Sequence, residues 1–428
     1  MELFDTYREI LRGELIYATG CTEPIAIAYA AAVARQTLGA MPERLVVLCS
    51  GNIVKNVKSV IVPGTGGLRG IEAAALIGAV GGDAGAGLNV LHGVTDAHRA
   101  ETAALLDSGA CSVGLLESEE PLHIRLSAEG GAHRAEVEIR GSHTNIVGRR
   151  LDGEELAAGG AGEQQSAGGP DYECLSLNGI LDYAEGTDLS SERELLESQI
   201  ECNRAIAIEG FLGEYGLNVG RALLEHANYG PYVRAAAMAA SGSDARMSGC
   251  LMPVVINSGS GNQGLTVSLP VISLAESWDS SREQLLRALL ISNLVSVHVK
   301  RHIGRLSAYC GATSASSGVA AAATWLRGGS REEIASSVVN TLAVVSGMIC
   351  DGAKASCAAK ISAAVDAGLV GYSMFRSGQQ FRGGDGIVTK GVEETIRNIG
   401  RLGRLGMRET DREIIRIMTN QPASEEAD

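Results

Sequence analysis

A shortage of large side chains constrains this chain more than any other feature it has. Glycine occurs 55 times among 428 residues, whereas Phe, Trp and Tyr together make up 4%. A core of useful size must therefore be built from Ala, Val, Leu and Ile, with helices approaching closely over small side chains. Abundant glycine also signals tight turns and backbone that can touch a ligand directly. The length suffices for two or three domains.

The hydrophobic pattern orders these domains. Residues 4–18 repeat apolar side chains at a helical period: Phe4, Tyr7, Ile10, Leu11, Leu15 and Ile16. After a break at Gly20-Cys21-Thr22-Glu23-Pro24, an Ala-rich helix is expected from about 24 to 38. Residues 44–50 (RLVVLCS) read as a buried strand, and 63–83 as a Gly-rich loop entering a helix that ends at a Gly pair. The alternating stretches 123–128 and 133–140 flank Glu129-Gly130-Gly131 and predict a hairpin. From 175 to 412 the pattern is helix after helix. The expected fold class is α+β: a mostly helical bundle of residues 1–40 and 175–412, with a smaller α+β domain over 42–148. Residues 152–173 are expected to form a polar linker and 413–428 a tail whose end, QPASEEAD, is frayed. The active site should lie between the two units.

A net charge of −14 argues against nucleic acid as a partner, since such binding draws on Lys and Arg contacts with phosphates. The cluster Lys300-Arg301-His302 with Arg305 reads as a helix surface. The acidic start MELFD lacks a signal-peptide pattern, and no apolar run reaches bilayer length, so a cytoplasmic protein with no membrane partner is expected. An Ala/Gly-rich helical surface is compatible with a homodimer. In a reducing compartment the nine cysteines are core filler, nucleophiles or metal ligands rather than disulfides.

Three of these cysteines sit in Gly- and Ser-rich surroundings ahead of Ala-rich helices: Cys310 in SAYCGATS, and Cys350 and Cys357 in GMICDGAKASC. A thiolate gains there from nearby N–H groups and the positive helix end. On one straight helix, Cys350 and Cys357 would lie about 10.5 Å apart, too wide for one compact cluster. Gly352 therefore predicts irregular backbone over 350–355. Spacing alone leaves ligands and buried thiols both open. Cys21 precedes Pro24 at a helix start, where a thiolate is favoured but a buried thiol is equally natural. Cys49, Cys111, Cys174, Cys202 and Cys250 read as structural.

The segments GCTEPIAIAYAAA, SGNIVKNVKSVIVPGTGGLRGIEAAALIGAVGGD, GSHTNIV, INSGSGNQG and GMICDGAKASCAAK together resemble the L-cysteine desulfidase family, which is related to the α-domain of iron–sulfur L-serine dehydratases. The resemblance covers roughly residues 5–400 and is weakest in the linker. It implies a [4Fe–4S] cluster on Cys310, Cys350 and Cys357, and matches Cys21 to a further family cysteine. The implied reaction is elimination of hydrogen sulfide from L-cysteine, giving pyruvate and ammonia, with an open iron as Lewis acid.

Such chemistry needs a base for the Cα proton and donors for the carboxylate. Cys21 is the first candidate for proton transfer, with a resting fourth ligand or a structural thiol as alternatives. His143 is a second candidate, or a histidine capping a turn. Lys55 could neutralise a carboxylate or simply be solvated, and Asn52 in the same segment is a candidate for substrate binding. The loop Asn257-Ser258-Gly259-Ser260-Gly261-Asn262 can cradle an anion at a helix start, and it lacks the ending of a P-loop. The competing functions are L-serine dehydration at the same cluster and a non-catalytic metal-binding sensor. A pyridoxal-phosphate lyase is disfavoured for want of a Schiff-base lysine context.

Overall fold

The computed structural model describes residues 2–157, 169–226, 230–304 and 306–419. The middle of the expected linker (158–168), the end of the expected tail (420–428) and Arg305 lie outside the described residues. The architecture is α+β, as the pattern implied. Among the described residues no helix is long and apolar enough to cross a membrane.

Among the described residues eight strands form two sheets. They are β1 (Tyr17–Thr19), β2 (Arg44–Cys49), β3 (Cys111–Leu115), β4 (His123–Gly130), β5 (His133–Arg140), β6 (Ile146–Leu151), β7 (Glu154–Glu155) and β8 (Pro253–Val255). The larger sheet runs β3-β2-β4-β5-β6-β7, with β2 and β3 parallel and the other neighbours antiparallel. The hairpin forms where alternation placed it, with Gly130 opposite His133 and Gly131 at φ +60° in the turn. Strand β3 escaped the sequence pattern because its five residues are only half-buried and do not alternate cleanly.

Hydrophobic side chains gather in two clusters. One joins the N-terminal helix Glu2–Glu14 to the helices of the second half of the chain. The other joins the sheet to the helices Thr22–Leu38, Gly51–Val57 and Gly70–Gly81. The Thr22–Leu38 helix was expected to pack with the helical part; its buried face instead lies on the sheet and on Gly70–Gly81. Small side chains explain this. A Cβ on Gly78 would lie 2.2 Å from the carbonyl oxygen of Ala28, so only glycine lets the two backbones approach this closely. Arg35 then donates to the carbonyls of Ala79, Val80 and Gly82, satisfying the end of the second helix.

Two features near the ends of the chain depart from expectation. Residues 413–419, assigned to the tail, continue a helix, Arg408–Thr419. It seats on Gly51–Val57, with Asp411 2.5 Å from the Lys55 ammonium. The short pair β1–β8, with Tyr17 opposite Val255, ties the N-terminal segment to the entry of the Gly/Ser-rich loop at 257–260. That pairing brings two sequence-distant candidate segments side by side.

Candidate active site

The helix Thr22–Leu38 opens with Cys21 as its cap residue, in extended backbone. Thr22 Oγ1 donates to Gly259 O at 3.2 Å, joining this helix start to the Ser258–Ser260 loop. Ser260 in turn caps the helix Gly261–Ser277 by accepting from the Gln263 N–H. Two helix N-termini thus face a shared space.

The third boundary comes from the cysteine segments. An isolated antiparallel bridge pairs Tyr309 with Ile349. Cys310 N–H donates to Met348 O at 3.0 Å and Cys350 N–H to Ala308 O at 2.7 Å. Cys310 and Cys350 are therefore neighbours across a two-strand contact. Cys310 caps the helix Gly311–Leu326, and the helix Cys357–Arg376 begins with Cys357 itself. Between Cys350 and Cys357 the backbone is irregular, as expected, with Gly352 at φ +97°. A Cβ there would lie 2.2 Å from Lys55 O, so this turn demands glycine twice over, by conformation and by contact. Asp351 stitches the turn through ion pairs to Lys354, at 2.6 Å, and to Lys360.

These walls enclose a cavity of ≈ 120 Å³. It is lined by Cys21, Cys310, Cys350 and Cys357, by His143 from the β5–β6 connection, and by Ser258, Gly259, Ser260 and Asn262. Residues of both hydrophobic clusters contribute to it. Asn52, Lys55 and Asn257 do not line it. Asn257 is fully buried behind the loop, where its amide donates to Asn293 Oδ1 at 3.0 Å and its carbonyl accepts from Ser258 Oγ at 2.9 Å. Lys55 is 1% exposed and held by Asp411.

Several lining residues carried no role in the sequence reading, among them Glu23, Arg246, Lys300 and Asn56. Glu23 sits beside Cys21 in the motif and could have been found there. Its Oε2 accepts from Cys21 Sγ at 3.1 Å and Thr22 Oγ1 at 3.1 Å, and its Oε1 from Asn56 Nδ2 at 2.9 Å. Lys300 corrects the reading of the 300–302 cluster as surface: it is buried and points among the cysteines. Arg246 lies in a run of small residues on the helix Pro231–Met247 and gave no signal.

The electrostatics divide the cavity. Burial, then the neighbouring Glu23 carboxylate, push the Cys21 thiol well above its usual range, although Arg246 pulls the other way. Burial opposes ionisation of Glu23, but His143, the Cys21 thiol, its own backbone and Arg246 together hold its carboxyl below the usual value. At rest the pair is thiol plus carboxylate. Elsewhere in the lining, Cys310 and Cys350 shift each other in opposite directions. The hydrogen bond from Cys310 brings Cys350 down to about 5 against burial, assisted by Lys55, the Gly352 N–H and Lys300. The same contact, followed by burial, holds Cys310 well above its ordinary value. Burial also raises Cys357 and lowers Lys300 to about 8. Among the described residues no group of three or more His, Cys, Asp or Glu is arranged to hold a metal ion.

A family model described as the serine dehydratase alpha chain matches residues 85–416. The chain is 50% identical to a UPF0597 protein of Desulfitobacterium hafniense, over 98% of this chain and 98% of that one. It is 49% identical to a UPF0597 protein of Lachnoclostridium phytofermentans (96% and 99% covered) and 40% identical to one of Aeromonas hydrophila (98% and 99% covered).

Proposed function

Because this chain belongs to the serine dehydratase alpha-chain family, we propose that it is a [4Fe–4S]-dependent lyase that eliminates hydrogen sulfide from L-cysteine. One observation carries the reading: Cys310, Cys350 and Cys357, drawn from two separate segments, line one cavity together with the Cys21–Glu23 pair.

The donor set fits an iron–sulfur cluster better than a single ion. A cluster takes one thiolate per iron, so its thiols need not converge on one point. The Cys310 contact favours the thiolate form of Cys350 against burial, and the nearby Lys55 and Lys300 charges favour it further. When bound, the cluster would supply a Lewis-acidic iron to the substrate's β-sulfur.

The protein's own groups supply the rest. The loop Ser258–Ser260 and Asn262 present hydroxyl, amide and backbone groups at a helix start, where a carboxylate is favoured. Cys21 and Glu23 form the proton-exchanging couple: Sγ takes the Cα proton as its own proton passes to Glu23. Loss of that proton with cleavage of the Cβ–S bond releases hydrosulfide and 2-aminoacrylate, which water converts to pyruvate and ammonia. His143 bears on the Glu23 carboxylate and favours its charged form. The walls, formed mostly of buried side chains, limit the water that reaches these groups.

The family's description favours a second reading, L-serine dehydration at the same site. Anaerobic kinetics decide between them. A kcat/KM for L-cysteine above that for L-serine, with iron and acid-labile sulfide in the protein, is the expected result. A serine preference replaces the first reading with the second. Zinc without labile sulfide overturns both.

A further inference from the structure

We infer that Arg246 is the anchor for the substrate's α-carboxylate, which makes a free carboxylate the feature by which the site selects its ligand. The inference rests on reading the cavity as a substrate site, and it adds a residue that neither the motifs nor the loop identify.

Arg246 is 3% exposed and lines the cavity. A guanidinium cannot relieve burial by losing its proton, so it needs an anion or a full set of acceptors. It has neither. Nη1 donates to Asn262 Oδ1 at 3.1 Å, while Nε is buried without a partner. Among the described residues no carboxylate forms an ion pair with it. Glu23 feels its charge, yet both Glu23 oxygens are already engaged by Cys21, Thr22 and Asn56.

The surroundings hold the guanidinium in place rather than neutralise it. Asn262 Oδ1 also accepts from Ser243 Oγ at 3.3 Å, so the amide that orients Arg246 is itself fixed. A Cβ on Gly261 would lie 2.1 Å from Arg246 Nε, so the first turn of the Gly261–Ser277 helix lies directly against the guanidinium. The helix N-terminus adds positive potential at the same place. A planar fork beside backbone N–H groups matches a carboxylate, which can accept two parallel hydrogen bonds. Cys310, Cys350 and Cys357 line the same cavity as Arg246, so a small α-amino acid held by the guanidinium would share that space with the thiols.

The test uses two unreactive or truncated probes on the anaerobically purified, cluster-containing protein. L-Alanine keeps the carboxylate and amine but has no leaving group. Ethylamine keeps the amine and the methyl group but has no carboxylate. Calorimetric titration should show L-alanine binding to the wild-type protein, and Arg246→Met should weaken it by roughly 10- to 100-fold, the range for a hydrogen bond to a charged group. Arg246→Lys should recover part of the loss. The wild-type comparison needs no variant: ethylamine should bind at least roughly 10-fold more weakly than L-alanine. Equal affinity for the two probes, no L-alanine binding to the wild-type protein, or unchanged binding to a folded Arg246→Met each overturns the assignment. These readouts are separate from turnover. Arg246-dependent L-alanine binding without elimination activity would leave the anchor standing and remove the lyase reading, whereas undiminished kcat/KM in Arg246→Met would do the reverse.

Discussion

The thiol of Cys21 donates to Glu23 Oε2 at 3.1 Å at the start of the Thr22–Leu38 helix, with both side chains buried. The hydrogen bond sets which partner carries the proton. A thiol raised by burial beside a carboxylate lowered by His143 and donor contacts keeps hydrogen on sulfur at rest.

Cys21→Ser should therefore reduce kcat for pyruvate formation by at least about 100-fold, within the span typical of a positioned acid–base group. Glu23→Gln should lower kcat by about 10-fold or more and displace the pH profile, because the amide cannot accept the thiol proton. Iron content should stay near one cluster per chain in both variants. A Cys21→Ser variant with wild-type kcat would remove this residue from the mechanism.

Glu23 also predicts an acid limb in stability. Its folded carboxyl titrates below the ordinary 4.5, so its contribution is complete above that pH and fades as pH falls through the lower folded value. Urea midpoints between pH 6 and 3 should fall less steeply in Glu23→Gln than in the wild-type protein. Parallel curves would contradict the assignment of charge to Glu23.

In cluster-free protein at pH 7, Cys350 should be the thiolate of the cavity, since its value of about 5 lies well below that pH. Brief iodoacetamide treatment followed by peptide mass spectrometry should find Cys350 modified ahead of Cys310 and Cys21. Modification of Cys310 first would place the thiolate on the other sulfur. Cys350→Ala should in addition cut bound iron severely on anaerobic reconstitution.

Gly352 carries both a left-handed backbone and a contact with Lys55 O. Gly352→Ala should cost at least about 1 kcal/mol from backbone conformation alone, and the carbonyl contact adds to it. Chemical denaturation should register the loss, and cluster retention should fall with it because Cys350 and Cys357 flank this turn. An alanine variant as stable as wild type would mean the turn can relax.

Lys55, 1% exposed, pairs with the partly exposed Asp411. Lys55→Met leaves the carboxylate without its partner and should destabilise the fold by about 3 kcal/mol. The double variant with Asp411→Leu should recover part of that loss. If the two single changes simply add, the pair is not coupled.

Much of the fold was legible locally. The hairpin at 123–140 announced itself by alternation around a Gly pair, and the Ala-rich helices by composition. The break at Gly352 followed from asking how far apart a straight helix would hold Cys350 and Cys357. The resemblance pointed to the cysteines, and the backbone bridge between Tyr309 and Ile349 shows how two of them become neighbours.

The charged residues were misjudged for a common reason. Lys300 looks like surface in its own segment, and Lys55 like a candidate ligand for substrate, because sequence displays charge without displaying what surrounds it. Lys55 meets its partner 356 positions away, and Arg246 receives its orienting amide from a different helix. Local pattern depends on backbone geometry that repeats every few residues, so the chain by itself determined which segments are helix or strand and which small side chains permit close packing. Burial and charge compensation are sums over neighbours brought from far along the chain, so only the tertiary structure decided that Arg246 and Lys300 line a cavity while the Lys55 ammonium pairs with Asp411 and is not part of that lining.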